Sequence, residues 1–180
     1  MARFCWRCGV ALEAVPPTVC GACGQPHYNN PRPCGEAVVV RDGELLLLRR
    51  AMEPELGAWD VPGGFCDVGE HPMHAAEREL AEEAGLTGRA VAYVGTWMDA
   101  YGDEGPGVPI HTVVSAYLIA LDDPRAEGRP EPGEVSEVGW FALDALPEHI
   151  AFARHTRPML EAARALVEGR PLAGLPDRVW

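Results

Sequence analysis

The sequence predicts an α/β fold: a mixed β-sheet held between helices, with a small cysteine-rich unit ahead of it. Three observations carry this expectation. Two apolar runs, EAVVV at 36–40 and ELLLLRR at 44–50, flank Asp42-Gly43, a dipeptide that favours a tight hairpin turn. An acidic helix-forming stretch, AAERELAEEA at 75–84, lies between strand-like segments, and a second amphipathic stretch at 154–168 follows them all. Two Cys-x-x-Cys pairs stand within the first 23 residues.

Taken in order, the chain opens with Cys5-Trp-Arg-Cys8-Gly and Cys20-Gly-Ala-Cys23-Gly, separated by eleven residues. Four thiolates at that spacing read as a tetrahedral zinc site of the ribbon type, and the glycine after each pair suits a tight knuckle. Two disulfides would require an oxidising compartment, and the chain shows no charged-then-apolar leader. A redox Cys-x-x-Cys would leave the second pair unexplained. Four protein ligands close the coordination shell, so this Zn²⁺ is expected to be structural, and so short a segment needs such a staple. His27 is expected at the surface or in an interface. Cys34 and Cys66 lie outside the set.

Strands are expected at Gly35 to Arg41, Glu44 to Arg50, Ala90 to Met98, Ile110 to Leu121 and Val135 to Phe141, with Trp59 in a loop. Between the third and fourth, YGDEGPGVP (101–109) reads as a long polar loop on the substrate side. After the last strand, LDALPEH is expected as a turn or short helix, and the closing helix turns Met159, Leu160, Ala163 and Val167 inward. His71 and His74 should face solvent, and His111 has no partner in sequence.

The acidic helix carries the chemistry. Pro72 suits its first turn and Gly85 the position just past its end. Glu79, Glu82 and Glu83 fall on one face, while Ala76, Leu80 and Ala84 form a separate stripe for the core. Clustered carboxylates repel one another unless cations sit among them. Grouped hard oxygen donors suit Mg²⁺ or Mn²⁺, which keep waters and accept phosphate oxygens. Arg78 can neutralise and orient one of the glutamates. Gly63 and Gly64, after Trp59-Asp60-Val61-Pro62, let backbone approach a ligand without Cβ hindrance.

The interval pattern is specific: Gly64, five residues, Glu70, seven residues, then Arg78-Glu79-Leu80-x-Glu82-Glu83-x-Gly85-Leu86. At every defined position it resembles the signature of the Nudix hydrolases, over a core of roughly residues 35–150. The resemblance implies an α/β/α sandwich and a metal-dependent pyrophosphohydrolase acting on a nucleoside diphosphate linked to some group X. It implies that Glu79, Glu82 and Glu83 ligate the metal, that one of them activates water, that Glu70 supports the site and that Arg78 holds a glutamate. Family members often add a carboxylate from a later loop, for which Glu134 and Glu137 are the candidates. The expected domains are 1–33, a zinc ribbon; 34–150, the hydrolase domain; and 151–180, a C-terminal helix and tail.

Composition bounds the rest. The chain has 180 residues, 47% of them hydrophobic, and a formal net charge of −12. It contains no lysine, which excludes Schiff-base chemistry. No run reaches the length of a membrane span. The acidic balance, and Arg3, Arg7 and Arg32 as too few cations in the ribbon, set nucleic acid aside as a partner. Reduced cysteines and the missing leader point to the cytoplasm. A ribbon ahead of such a domain resembles NADH pyrophosphatases, but their SQPWPFP-type motif is replaced here by YVGTWMDAYGDEG. The short ribbon followed by HYNNPRP looks more like members that hydrolyse ADP-ribose or FAD. Trp97 and Tyr101 could stack on a ring, and Arg49 or Arg50 could hold a phosphate. The alternatives are a housecleaning nucleoside triphosphate pyrophosphatase and a non-catalytic nucleotide sensor. The resemblance also allows a homodimer.

Overall fold

The computed structural model describes residues 4–103 and 109–170. Arg3, the middle of the expected substrate-side loop (104–108) and the end of the C-terminal tail lie outside the described residues. The ribbon holds two short antiparallel strands, β1 (Thr18–Val19) and β2 (Pro26–His27). Its two cysteine turns share one construction. Gly9 N–H donates to Cys5 O at 2.8 Å and Gly24 N–H to Cys20 O at 2.9 Å, with φ of 74° and 72° at the two glycines. That left-handed backbone explains why glycine follows each pair.

The main sheet is built from β3 (Arg32–Arg41), β4 (Glu44–Arg50), β5 (Trp59–Asp60), β6 (Gly63–Phe65), β7 (Gly88–Asp103), β8 (Pro109–Leu121) and β9 (Val135–Ala142). Its order is β5-β4-β3-β8-β7, with β6 also on β3 and β9 also on β4. Only β3 and β8 run parallel; the other pairings are antiparallel, so the sheet is mixed as expected. Asp42 and Gly43 turn the β3–β4 hairpin with φ of 48° and 82°, the positive angles a two-residue hairpin asks for.

Helix α1 (Pro72–Ala84) covers one face of the sheet and α2 (Ala153–Val167) the other. Ala76, Leu80 and Ala84 of α1 are fully buried against Ala37, Val39, Leu46 and Leu48. Met159, Leu160 and Ala163 of α2 pack against Val38, Leu45 and Leu47. Alternate residues of β3 and β4 therefore feed two cores, and the strands read as unbroken apolar runs because both faces are covered. Among the described residues, no helix is long and apolar enough to cross a membrane.

The caps of α1 follow the sequence reading. Pro72 is the first helical residue, His71 Nδ1 accepts from Met73 N at 3.1 Å, and Gly85 closes the helix in the left-handed region. The start of the helix lies so close to β3 that a Cβ on Gly35 would overlap Pro72 O and stand 2.8 Å from Ala76 N.

Four expectations differ. Strand β7 runs on through Tyr101, Gly102 and Asp103, because Asp103 still pairs with Pro109. Trp59 lies in β5 and pairs with Arg49 rather than standing in a loop. Val167 is 44% exposed at the frayed end of α2, while His155 and Thr156 are buried at its start. His27 is only 4% exposed, its ring edge-on to Trp6, so it belongs to the interior of the ribbon.

Candidate active site

Arg78 is the hub of the acidic helix. Its Nε and Nη2 donate to the two oxygens of Glu70, each at 3.0 Å, in a bidentate pair, and Nη2 also reaches Phe65 O at 3.0 Å. Nη1 donates to Glu79 Oε1 at 2.7 Å and to Glu82 Oε2 at 2.8 Å. One guanidinium thus orders three of the four glutamates, where the sequence suggested one. Hydrogen bonds from Arg78, and from the Asp67 N–H, hold Glu70 below its ordinary pKa.

Glu83 turns inward, and its Oε2 accepts from Gly63 N at 2.9 Å. Burial pushes its carboxyl up to about 8, against the Gly63 N–H and with Glu79, Asp60 and Glu134 adding repulsion. Burial also raises Glu79, against the pull of Arg78. Glu82 keeps 58% of its side chain in solvent. Gly64 is required where it stands: a Cβ there would overlap Glu79 Oε1 and lie 2.6 Å from its Cδ. Gly63 likewise leaves room for Glu36, whose Cγ would be 2.6 Å from an added Cβ.

Glu79 and Glu83 open onto a cavity of about 340 Å³. A second group of lining residues was largely hidden from sequence reasoning. Glu36 from β3, Asp60 from β5, Asp99 from β7 and His155 from α2 meet there. His155 Nε2 is 2.9 Å from Glu36 Oε1 and Nδ1 is 2.7 Å from Asp99 Oδ2. Burial opposes charge on this ring, but its two carboxylate partners outweigh burial and raise it to about 9. Asp60 is pushed up to about 8 by burial and by Glu36, while Arg50, 3.6 Å away, pulls it down.

An aromatic wall completes the cavity. Tyr101 and Phe152 stack with centroids 5.5 Å apart, Phe65 meets Tyr101 edge-on at 5.3 Å, and the Arg50 guanidinium lies 5.0 Å from the Phe152 ring. Phe152 holds φ 45°, ψ 42°, a left-handed conformation that costs a non-glycine residue about 1–3 kcal/mol. Arg50 also donates to Pro54 O at 2.8 Å and Tyr101 Oη at 3.2 Å.

Of the remaining candidates, Tyr101, Arg50 and Glu134 line the cavity. Trp97 packs into the α2-side core, and Arg49 pairs with Glu137 at 3.5 Å on the surface. His71 and His74 are exposed and pair locally, as expected.

The second centre is in the ribbon. Ligand atoms of Cys5, Cys8, Cys20 and Cys23 lie within 4.8 Å of one another, with Sγ–Sγ separations of 3.6 Å (Cys5–Cys23) and 3.7 Å (Cys8–Cys20). Those distances exclude disulfides, whose sulfurs stand about 2.05 Å apart. They match the edge of a zinc tetrahedron, about 3.8 Å for Zn–S bonds of about 2.3 Å. Among the described residues this is the only group of three or more His, Cys, Asp or Glu donors so tightly converged. The helix glutamates are instead spread around Arg78.

A family model described as the NUDIX domain matches residues 32–163. The NAD-capped RNA hydrolase NudC of Chromobacterium violaceum is 32% identical over 148 residues, covering 81% of this chain and 52% of that protein. The chain spans between about half and three fifths of the length of the curated relatives it matches (52%, 61% and 60% for three of them). Those relatives are named for an RNA substrate, so an acidic balance is poor ground for setting nucleic acid aside. A NUDIX hydrolase structure from Nitrosomonas europaea superposes with TM-score 0.75 at 25% identity, over 95% of this chain and 96% of that one. A MutT NUDIX hydrolase from Burkholderia pseudomallei gives TM-score 0.63 at 36% identity, over 74% and 98% of the two chains.

Proposed function

The chain belongs to the Nudix family, and on that premise we propose that it is a Mg²⁺- or Mn²⁺-dependent pyrophosphohydrolase. It cleaves the diphosphate linkage of a nucleoside diphosphate joined to X, of the ADP-ribose, FAD or NAD type. The observation that carries this reading is one cavity with two unlike walls. Glu79 and Glu83 line it, and so does the Tyr101–Phe152 stack.

The donor set suits the cation. Glu79, Glu82 and Glu83 offer hard oxygens, and two of them are burdened by burial that a divalent charge would relieve. When bound, the cation supplies neutralisation of the phosphate oxygens and a lowered pKa for a bound water. The protein supplies position. Arg78 fixes Glu79 and Glu82, the Gly63 N–H fixes Glu83, and Gly64 leaves the approach open. One of the three takes a proton from water; Glu79 and Glu83 line the cavity, while Glu82, next to Glu83 in sequence, is mostly in solvent. The four ribbon thiolates, none of which lines the cavity, would hold a structural Zn²⁺.

The test is a panel of ADP-ribose, FAD, NADH and nucleoside triphosphates, each with Mg²⁺ and with Mn²⁺. Release of a mononucleotide plus phosphorylated X supports the reading. Pyrophosphate release confined to triphosphates would assign a housecleaning role instead. Nucleotide binding without turnover would make the domain a sensor.

A further inference from the structure

The Glu36 carboxylate is half satisfied. Its side chain is one-tenth exposed, and Oε1 is engaged by His155 Nε2 at 2.9 Å. Its Oε2 is buried and has no hydrogen-bond partner among the described residues, yet Glu36 lines the cavity. Leaving a buried charged acceptor unpaired is destabilising, so a partner is expected to arrive when the site is used. The neighbouring side-chain cations do not supply it: His155 is taken up by Oε1 and Arg50 faces Asp60.

The orientation of Glu36 is fixed from behind. Asp99 holds the other nitrogen of His155 at 2.7 Å, so an imidazolium donates to both carboxylates and takes up Glu36 Oε1, on a residue that lines the cavity. The Tyr101 and Phe152 rings border the same space and present a flat apolar surface. We propose that Glu36 Oε2 reads an N–H donor carried by a flat heteroaromatic ring of the substrate, an exocyclic amine or a carboxamide. This deepens the hydrolase reading and rests on it: the α1 wall takes the diphosphate, and the β3 wall selects the ring. The same carboxylate repels a ring that presents an oxo or carboxylate group at that point.

The test uses mononucleotides, which have no scissile bond, so failure of the hydrolase reading leaves it intact. Affinities of the full chain are measured by calorimetric titration in two arms. One compares AMP with IMP, and the other nicotinamide mononucleotide with nicotinic acid mononucleotide. Wild type is expected to favour the amino-bearing member of one arm by roughly tenfold or more, and that arm identifies the ring. E36Q is nearly isosteric. Asp99 still holds the other nitrogen of His155, and the glutamine amide can turn either its oxygen or its NH₂ to the cavity. E36Q is therefore expected to abolish the preference, because the carboxylate charge that attracts a donor and repels an oxo group is gone. Equal affinities in both arms for wild type overturn the proposal, whether or not E36Q folds. So does an undiminished preference in E36Q, or a loss of Mg²⁺ affinity with ring preference unchanged.

Discussion

The buried imidazole of His155 should make stability fall with rising pH across a defined window. The ring faces Glu36 and Asp99 directly, with Asp60 and Arg50 beyond them. Its value rises from 6.5 to about 9 on folding. The native state therefore keeps a proton that the unfolded chain releases above about 6.5. The stabilisation is fully present below that pH and is lost as pH climbs through about 9. A rise of that size corresponds to roughly 3 kcal/mol at about 1.36 kcal/mol per unit. The perturbation is His155→Gln and the assay is urea unfolding by circular dichroism at intervals from pH 6 to 10, with zinc present. The variant starts weaker at pH 6, since two buried carboxylates lose their shared cation. The stability difference between wild type and variant should shrink by roughly 3 kcal/mol by pH 10. Asp60, raised from 3.8 to about 8, also destabilises the fold as pH rises, but its window opens lower. The interval from pH 8 to 9 thus belongs chiefly to His155. A difference curve flat from pH 6 to 10 would refute the imidazolium assignment.

Three further outcomes are expected. Glu82→Gln should lower turnover by roughly a hundredfold or more while leaving the circular dichroism and Tm unchanged, because its side chain is mostly in solvent; retained turnover would reject Glu82 as part of the site. A zinc-selective chelator should render residues 4–28 sensitive to protease while turnover continues to follow added Mg²⁺, and an unchanged digestion pattern would count against a zinc staple. Gly35→Ala should cost about 1–3 kcal/mol, since the new methyl would meet the rigid backbone of Pro72 and Ala76 rather than a movable side chain, and a wild-type Tm would mean that α1 does not lie so close to β3.

The legible parts of the chain were those whose signals are local. Pro72 and Gly85 bound α1 because a missing N–H and a left-handed φ act within one turn. Asp42-Gly43 fixed the first hairpin for the same reason. The glutamates of α1 were readable because consecutive helical turns bring them together without help from the rest of the fold. Strand β7 was read too short because its pairing shifts between Ala90 and Ala92, Tyr93 and Gly95, and Ala100 and Asp103, which breaks the two-residue alternation. Val167 was misplaced because helical periodicity says nothing of where a helix leaves the sheet. The β3 wall could not be read at all. Glu36 and His155 are 119 residues apart and Asp99 and His155 are 56 apart, so they meet only after β3, β7 and α2 have assembled. His27 is a smaller case: a polar residue with no local partner becomes interior only once the two cysteine turns close around it.

The arrangement of charge gives a reason for cation dependence that does not lean on the motif. An anionic diphosphate would ordinarily be met by arginine, and two arginines do line this cavity. Both are already committed. Arg78 has Glu70, Glu79, Glu82 and a carbonyl as partners, and Arg50 has Asp60, a carbonyl and the Tyr101 hydroxyl. His155, the third cation, lies between two carboxylates. Releasing any of these to meet phosphate would strand carboxylates that burial already disfavours. Each positive charge of the cavity therefore organises acid groups rather than substrate. The net negative field left on the α1 wall admits a diphosphate only with mobile divalent ions between them.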